Sequence, residues 1–470
     1  MWKYGTSFKR NLAGIAVSVF CVTAFPAPAE TLTDALIDAY RNSNLLDQNR
    51  ALLRAADEDV ATAQAALRPQ IDFVTTYSGS HPHREIYSAL YNAGGQRDNW
   101  IATFQLQANM VLYAGGANRL NVESTKESVL ATREALRSLE QSVLLGAVAA
   151  YMDVLRAKAF VNLRENNVRV LTQEKQATED RFEVGEVTRT DVALAESRLA
   201  AAVSLLEASR GDLSVSREGF RTAVGRYPGD LTFPGALPQT APSVEEAIRI
   251  GVRTHPDIRQ AQRLVTVAEL GMRIAKAGYM PQISASIISQ TDSFEELEQH
   301  SLGLNLSQPI YRGGALASFE RKAIAQRDSN RASLLQTTLG IEELVASAWA
   351  NIDAATAQIR ATELQIRAAE IAFEGTREEA TLGARTTLDV LDAEQELLDA
   401  RAARIDAIAT QYVAVYSLLS AMGLMTVEHL NLGIQTYDPA GYYNAVKSSP
   451  ARLSKRGQQL DRVLRKIGKQ

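Results

Sequence analysis

Two regions of the chain alternate apolar and polar residues with a period of two, and a far longer helical pattern follows each. In the first region, residues 70–80 place Ile71, Phe73, Thr75 and Tyr77 on one face. The return segment 99–113 aligns Trp100, Ala102, Phe104, Leu106, Ala108, Met110 and Leu112, with Thr103, Gln105, Gln107 and Asn109 opposite. The second region, about 282–292 and 300–311, repeats this with Ile283, Ala285 and Ile287, then Leu302, Leu304 and Leu306. Strands of about ten residues, apolar on one face and hydrophilic on the other, suit a barrel wall between lipid and water. A half-buried strand pair in a soluble domain gives the same alternation.

Helical patterns flank both regions. Short helices are expected at 31–42 and 243–253, then amphipathic helices at 44–67 and 256–279 that stop just before Pro69 and Pro281. After Gly115-Gly116 and Gly313-Gly314 come the proline-free stretches 117–183 and 315–381. Each has 67 residues and predicts a rod of about 100 Å. Turns at Gly185 and Gly383 reverse the chain into return helices 188–224 and 386–422.

The chain is a tandem duplication. Pro69-Gln70-Ile71 matches Pro281-Gln282-Ile283 at an offset of 212. Leu112-Tyr113-Ala114-Gly115-Gly116-Ala117 matches Ile310-Tyr311-Arg312-Gly313-Gly314-Ala315 at an offset of 198. Gly185, Thr188, Asp191, Val192 and Gly225 then fall on Gly383, Thr386, Asp389, Val390 and Gly423. The extra residues of repeat one lie in the polar stretch 78–99. Repeat one spans 30–225 and repeat two 244–423, joined by a linker at 226–243. In each repeat the return helix stacked on the shorter helix nearly matches the long rod. One continuous and one composite rod per repeat are therefore expected to lie side by side as a coiled coil.

The N-terminus sets the compartment. Lys3, Lys9 and Arg10 precede the apolar run 12–25 and Ala27-Pro28-Ala29, a secretory signal peptide over 1–29 with cleavage after Ala29. Cleavage removes Cys21, the only cysteine, and with it disulfide and thiol chemistry. The net charge of −4 gives no reason to expect nucleic acid as a partner. Later segments offer no apolar run long enough for a transmembrane helix, so a membrane would be entered as a barrel. Four strands cannot close one, since about eight are needed. Two copies would close a plugged barrel and three a wider one, and the pattern leaves that choice open.

Several motifs, in order on this duplicated frame, resemble those of the TolC-like outer-membrane efflux and type I secretion channels over about residues 31–446. They are Leu-Arg-Pro-Gln-Ile (67–71), Tyr-Met-Pro-Gln-Ile (279–283) and Gln-Pro-Ile-Tyr-Arg-Gly-Gly (308–314). Leu-Gly-Ala-Arg-Thr-Thr-Leu-Asp-Val-Leu-Asp-Ala (382–393) and Tyr-Asp-Pro (437–439) complete the set. The resemblance implies a mainly α fold with a membrane β-barrel contribution: a homotrimer with a 12-stranded barrel and a 12-helix periplasmic tunnel. An equatorial belt would come from the linker and from 424–446. The implied function is the outer-membrane exit duct of a tripartite export system, conducting proteins or small toxic compounds. A periplasmic adaptor and an inner-membrane ABC or proton-driven transporter would be its partners, with no cofactor or catalytic site.

The resemblance also assigns candidate residues. Asp389 and Asp392, i and i+3 on one helix face, match the family's paired carboxylates at the pore constriction. By spacing alone they read as a solvated acidic helix start. Arg385, with Thr190 and Asp191 of repeat one, matches the network that closes the periplasmic tip. The family tyrosine of that network is replaced by Ala380. Gly185 and Gly383 form the tip turns, and Pro69, Gly115, Gly116, Pro281, Gly313 and Gly314 mark the strand–helix transitions.

Other features carry less. Tyr77 and Trp100, with Tyr91, are candidates for an interfacial girdle. His81-Pro82-His83 reads as a solvated loop tip rather than a metal site. The tail 447–470 has eight basic residues against Asp461 and is expected to be flexible. An enzyme is disfavoured, because five scattered histidines assemble no nucleophile or metal set. A periplasmic coiled-coil structural protein or adaptor shares long helical hairpins. It would lack the two-faced strand pairs and the duplication.

Overall fold

A computed structural model describes residues 30–80, 99–292, 298–452 and 454–467. The expected signal peptide over 1–29 and residues 81–98, with His81, His83 and Tyr91, lie outside the described residues. Repeat one runs α1 (Leu32–Asn42), α2 (Asn44–Ala65), β1 (Gln70–Ser80), β2 (Asn99–Ala114), α3 (Ala117–Glu183) and α4 (Arg189–Val224). Repeat two runs α5 (Val244–Thr254), α6 (Pro256–Ala277), β3 (Gln282–Asp292), β4 (Glu298–Ser307), α7 (Ala315–Thr381) and α8 (Thr387–Ala421). Two short helices follow, α9 (Pro439–Val446) and α10 (Lys455–Ile467).

Local chemistry sets the breaks. Ser43 caps α2 through its hydroxyl, which accepts from Leu46 N at 3.3 Å. His255 caps α6, its Nδ1 accepting from Asp257 N at 3.2 Å, with Pro256 in the first turn. α2 and α4 both lie against α3, while α6 and α8 lie against α7. The two pieces of each composite rod are joined at equivalent positions. Asn42 Nδ2 donates to Val224 O at 3.2 Å, and Thr254 Oγ1 donates to Met422 O at 2.6 Å. Each join sits where an unpaired helix-end carbonyl would otherwise remain.

The core gathers at these joins. One cluster centres on Leu36, Leu144, Tyr151, Phe220 and Met425, the other on Ala247, Val345, Leu418 and Met422. Around the first, Glu30 is tied to the segment that follows α4. Glu30 forms a parallel bridge with Leu231, and its buried carboxylate takes Arg226 at 2.8 and 3.0 Å. Arg226 also reaches Asp38 at 2.7 Å, and both acids hold its guanidinium firmly protonated, Glu30 foremost.

The four strands form one antiparallel sheet in the order β1-β2-β3-β4. The register puts Phe73 beside Leu106, Ala108 beside Ile287, and Ile287 beside Leu302. That apolar face is uncovered: Phe73 is 69% exposed and Leu302 81%. Tyr77 stacks on Trp100 on the same face, with ring centroids 5.2 Å apart. β1 and β4 each pair on one side only, which leaves the sheet open at both edges.

Three expectations change. β4 covers Glu298–Ser307 rather than 300–311, because Pro309 has no N–H to donate to a ladder. The return helices begin after Thr188 and Thr386, which are caps, and the second ends at Ala421. The tail is not uniformly irregular. Residues 455–467 form α10, whose Leu460 and Val463 line a cleft with Tyr442 and Ala445 of α9.

The candidate pore constriction and gate

The two helical hairpins end in matching turns. Gly185 and Gly383 adopt left-handed backbone angles (φ 80° and 77°) that end α3 and α7. The residues after them close the helix ends: Glu186 N donates to Arg181 O and Ala384 N to Glu379 O, both at 2.9 Å. The next helices start with reciprocal caps. Thr188 N and Oγ1 donate to Asp191 Oδ2 at 2.8 and 2.7 Å; Thr386 N and Oγ1 donate to Asp389 Oδ2 at 2.9 and 2.8 Å. These bonds hold both carboxyls below the ordinary aspartate range. Asp191 and Asp389 therefore both have a structural task in their own turns.

The expected gate residues are not brought together within this chain. Arg385 pairs with Glu379 at 2.9 Å, which holds its guanidinium protonated, and not with Asp191. Thr190 is exposed and outside the cap. Ala380 is buried, and its carbonyl, not its side chain, is used: Arg181 Nη2 donates to it at 2.6 Å. Asp392 is exposed and meets Arg198 of α4, Nη2 to Oδ1 at 2.9 Å.

Apart from Asp392, the side chains that link the repeats are ones that the sequence pattern did not single out. Arg377 of α7 reaches Glu174 of α3 at 3.0 Å. Asn167 Nδ2 of α3 donates to Glu394 Oε1 of α8 at 2.6 Å, and both residues are buried. Burial first, then the charge of Glu174, pushes the Glu394 carboxyl above the ordinary range against the Asn167 bond. With Arg181–Ala380 and Arg198–Asp392, four contacts tie repeat one to repeat two near the tip. A signal existed in the repeat offset. It maps Glu179 on Arg377, Arg181 on Glu379, and Arg198 on Glu396, so equivalent positions of the two hairpins carry opposite charges.

The strand–helix transitions join the repeats at the other end. Gly115 and Gly116 precede α3 with φ of 59° and 83°, and Gly313 and Gly314 precede α7 with 58° and 83°. Gly115 also lies against repeat two, where a Cβ would meet Met280 Cβ at 2.5 Å, just ahead of Pro281. Pro69 stands between α2 and β1, and the preceding Arg68 donates to the carbonyls of Ser448 and Ser449 at 2.6 and 2.9 Å.

Duplicated rod pairs that end in a two-faced, open-edged sheet define a class of outer-membrane channel built by several chains. The outer membrane efflux protein family model matches residues 36–226 and 252–424, and the chain belongs to that family. It is 34% identical over 442 residues to the outer membrane efflux protein BepC of Brucella suis, covering 93% of this chain and 94% of BepC. It is 22% identical to the outer membrane protein TolC of Escherichia coli, covering 89% and 87%. The fold matches the crystal structure of the outer membrane protein VceC of Vibrio cholerae, with a TM-score of 0.71 and 20% identity. That match covers 83% of this chain and 96% of VceC. The protein is an outer-membrane export channel and not an enzyme. Channels of this family are trimers that work with adaptors and inner-membrane transporters.

Proposed function

We propose that three copies of this chain share one 12-stranded barrel in outer-membrane lipid and one 12-helix tunnel through the periplasm. The duct passively carries proteins, as in type I secretion, or small toxic compounds delivered by an ABC or proton-driven transporter through an adaptor. One observation carries this reading: a sheet with an uncovered apolar face, a polar opposite face and two unpaired edges. Unpaired backbone in hydrocarbon costs several kcal/mol per group, so neighbouring copies must complete the wall. The same sheet argues against an adaptor, which would have no use for a lipid-facing strand set.

In this duct the helical tip is the periplasmic entrance, with Asp389 and Asp392 at its constriction. Three copies bring six carboxylates to one narrow ring, three of them paired with Arg198, and the remaining negative charge favours cations. The closed state is held by Arg198–Asp392, Asn167–Glu394, Glu174–Arg377 and Arg181–Ala380. Arg385 supports its own turn through Glu379.

The test is purification of the processed protein in mild detergent, mass determination, and current recording across a planar bilayer. A trimer that conducts supports the reading; a monomer that passes no ions overturns it. Crosslinking in cells followed by identification of the captured inner-membrane transporter then assigns the cargo class.

A further inference from the structure

The sheet register separates two faces, and the polar one carries a charge pattern that the entrance residues do not account for. Gln70, Asp72, Val74, Thr76 and Ser78 of β1 pair with Asn109, Gln107, Gln105, Thr103 and Ile101 of β2. Across β3 and β4 the same face continues through Ser286, Ile288 and Gln290 to Gly303, Ser301 and Gln299. It opposes the face of Phe73, Leu106, Ile287 and Leu302, so in a closed barrel it faces water. Its neutral residues are mostly amides and hydroxyls. Among the described side chains the acid on it is Asp72, near the helical end. Basic residues are absent from it among the described residues.

Among the described residues Asp72 has no ion-pair partner to cancel its charge. Its register neighbours Gln107, Ile288 and Ser301 are neutral, and its side chain is exposed. The nearest basic residue along the chain, Arg68, lies outside the strands. Arg68 is engaged by the Ser448 and Ser449 carbonyls. An uncompensated carboxylate on a water-facing wall raises the local concentration of cations within a Debye length of it.

We propose that Asp72 forms a second charge-selective ring inside the barrel, distinct from the Asp389–Asp392 entrance, and biases the duct toward small cations. This rests on the duct reading, because one chain closes no lumen. Threefold repetition would set three Asp72 carboxylates at one level of the wall. Their field reaches about 8–10 Å at 0.1–0.15 M salt and about 3 Å at 1 M, so selectivity from this ring must fade as salt rises.

The experiment measures reversal potentials of the full-length trimer in planar bilayers under KCl gradients, at low and high mean salt. Asp72→Asn, Asp72→Lys and Asp72→Glu are each made in the natural chain and with Asp389→Asn and Asp392→Asn together, so that the entrance does not mask the barrel. The expected result is a roughly twofold lower potassium-to-chloride permeability ratio for Asp72→Asn near 0.1 M, and a smaller change at 1 M. Asp72→Lys should move the ratio further in the same direction, and Asp72→Glu should retain the natural value. Unchanged ratios in the Asn and Lys variants at low salt overturn the ring and leave the duct intact. Absence of current in the natural protein overturns the duct itself.

Discussion

Arg198 of α4 holds Asp392 of α8 with its Nη2 2.9 Å from Oδ1, a bond that crosses from repeat one to repeat two close to the tip. Both side chains are substantially exposed, so the pair alone contributes at most about 1 kcal/mol. Its importance is positional. Asp392 has no counterpart in repeat one, where the equivalent residue is Leu194, so only one hairpin of each chain can make this link. Arg198→Ala is expected to raise single-channel conductance, and Arg198→Ala with Asn167→Ala to raise it further. Arg385→Ser should change it less, because Arg385 is bonded within its own turn. Planar-bilayer recordings decide this; equal effects of Arg385→Ser and Arg198→Ala would return the gate to Arg385.

Asp57 gives the packing of α2 on α3 a pH dependence. Its carboxyl is 1% exposed, has no hydrogen bond, and sees Arg133 only at 4.0 Å. Burial, opposed by Arg133, pushes it up to about 6. A carboxyl whose folded value is raised binds its proton more tightly in the folded state. Its contribution therefore favours folding below the ordinary aspartate value and declines as pH rises toward 6. The difference is on the order of 3 kcal/mol per chain. Thermal unfolding of the trimer should be higher at pH 5 than at pH 7.5 by an amount that Asp57→Asn removes. A pH slope of the same size in Asp57→Asn would assign it to other groups.

The glycines at the turns and joins should separate into two classes. Gly185 and Gly383 have left-handed angles but open space around a would-be Cβ. Alanine at either is expected to cost about 1–2 kcal/mol from backbone strain alone. At Gly423 (φ 74°) a Cβ would meet His255 Cα at 2.8 Å and Thr254 C at 3.0 Å, which are backbone atoms at the composite-rod join. Gly423→Ala should be clearly more destabilising, by about 3 kcal/mol or more, and reduce trimer yield. Denaturant unfolding compares the three; similar midpoints would mean that the join relaxes freely.

Much of this frame is readable along the chain, for particular reasons. Helices 67 residues long without proline announce themselves, and Gly185 and Gly383 stop them in matching places. The strand faces follow from alternation because lipid and water demand opposite residues. The tip links are different. Asn167 and Glu394 are 227 positions apart, and each sits on a helix whose neighbours depend on how the repeats pack. Asp191 and Asp389 match in sequence because both cap helices, so their match marks a shared turn and says nothing of a pore. α10 was obscured by charge density, although Leu460 and Val463 give it one face to lay against α9.

Glu394 makes the contact between α3 and α8 sensitive to acid in a stated direction. It is buried with Asn167 in the linked state, where its carboxyl lies above the ordinary range, burial being the main cause. Parting of α8 from α3 would expose it and return it toward that range. The linked state therefore binds the proton more tightly, so acid favours closure and rising pH through the interval between the two values favours opening. Open probability of the trimer should increase as pH is raised from about 4 to 7. Glu394→Gln keeps an acceptor for Asn167 but cannot titrate, and it should hold the channel near its acid behaviour throughout. If the Gln variant opens with pH as the natural chain does, Glu394 is not the sensor.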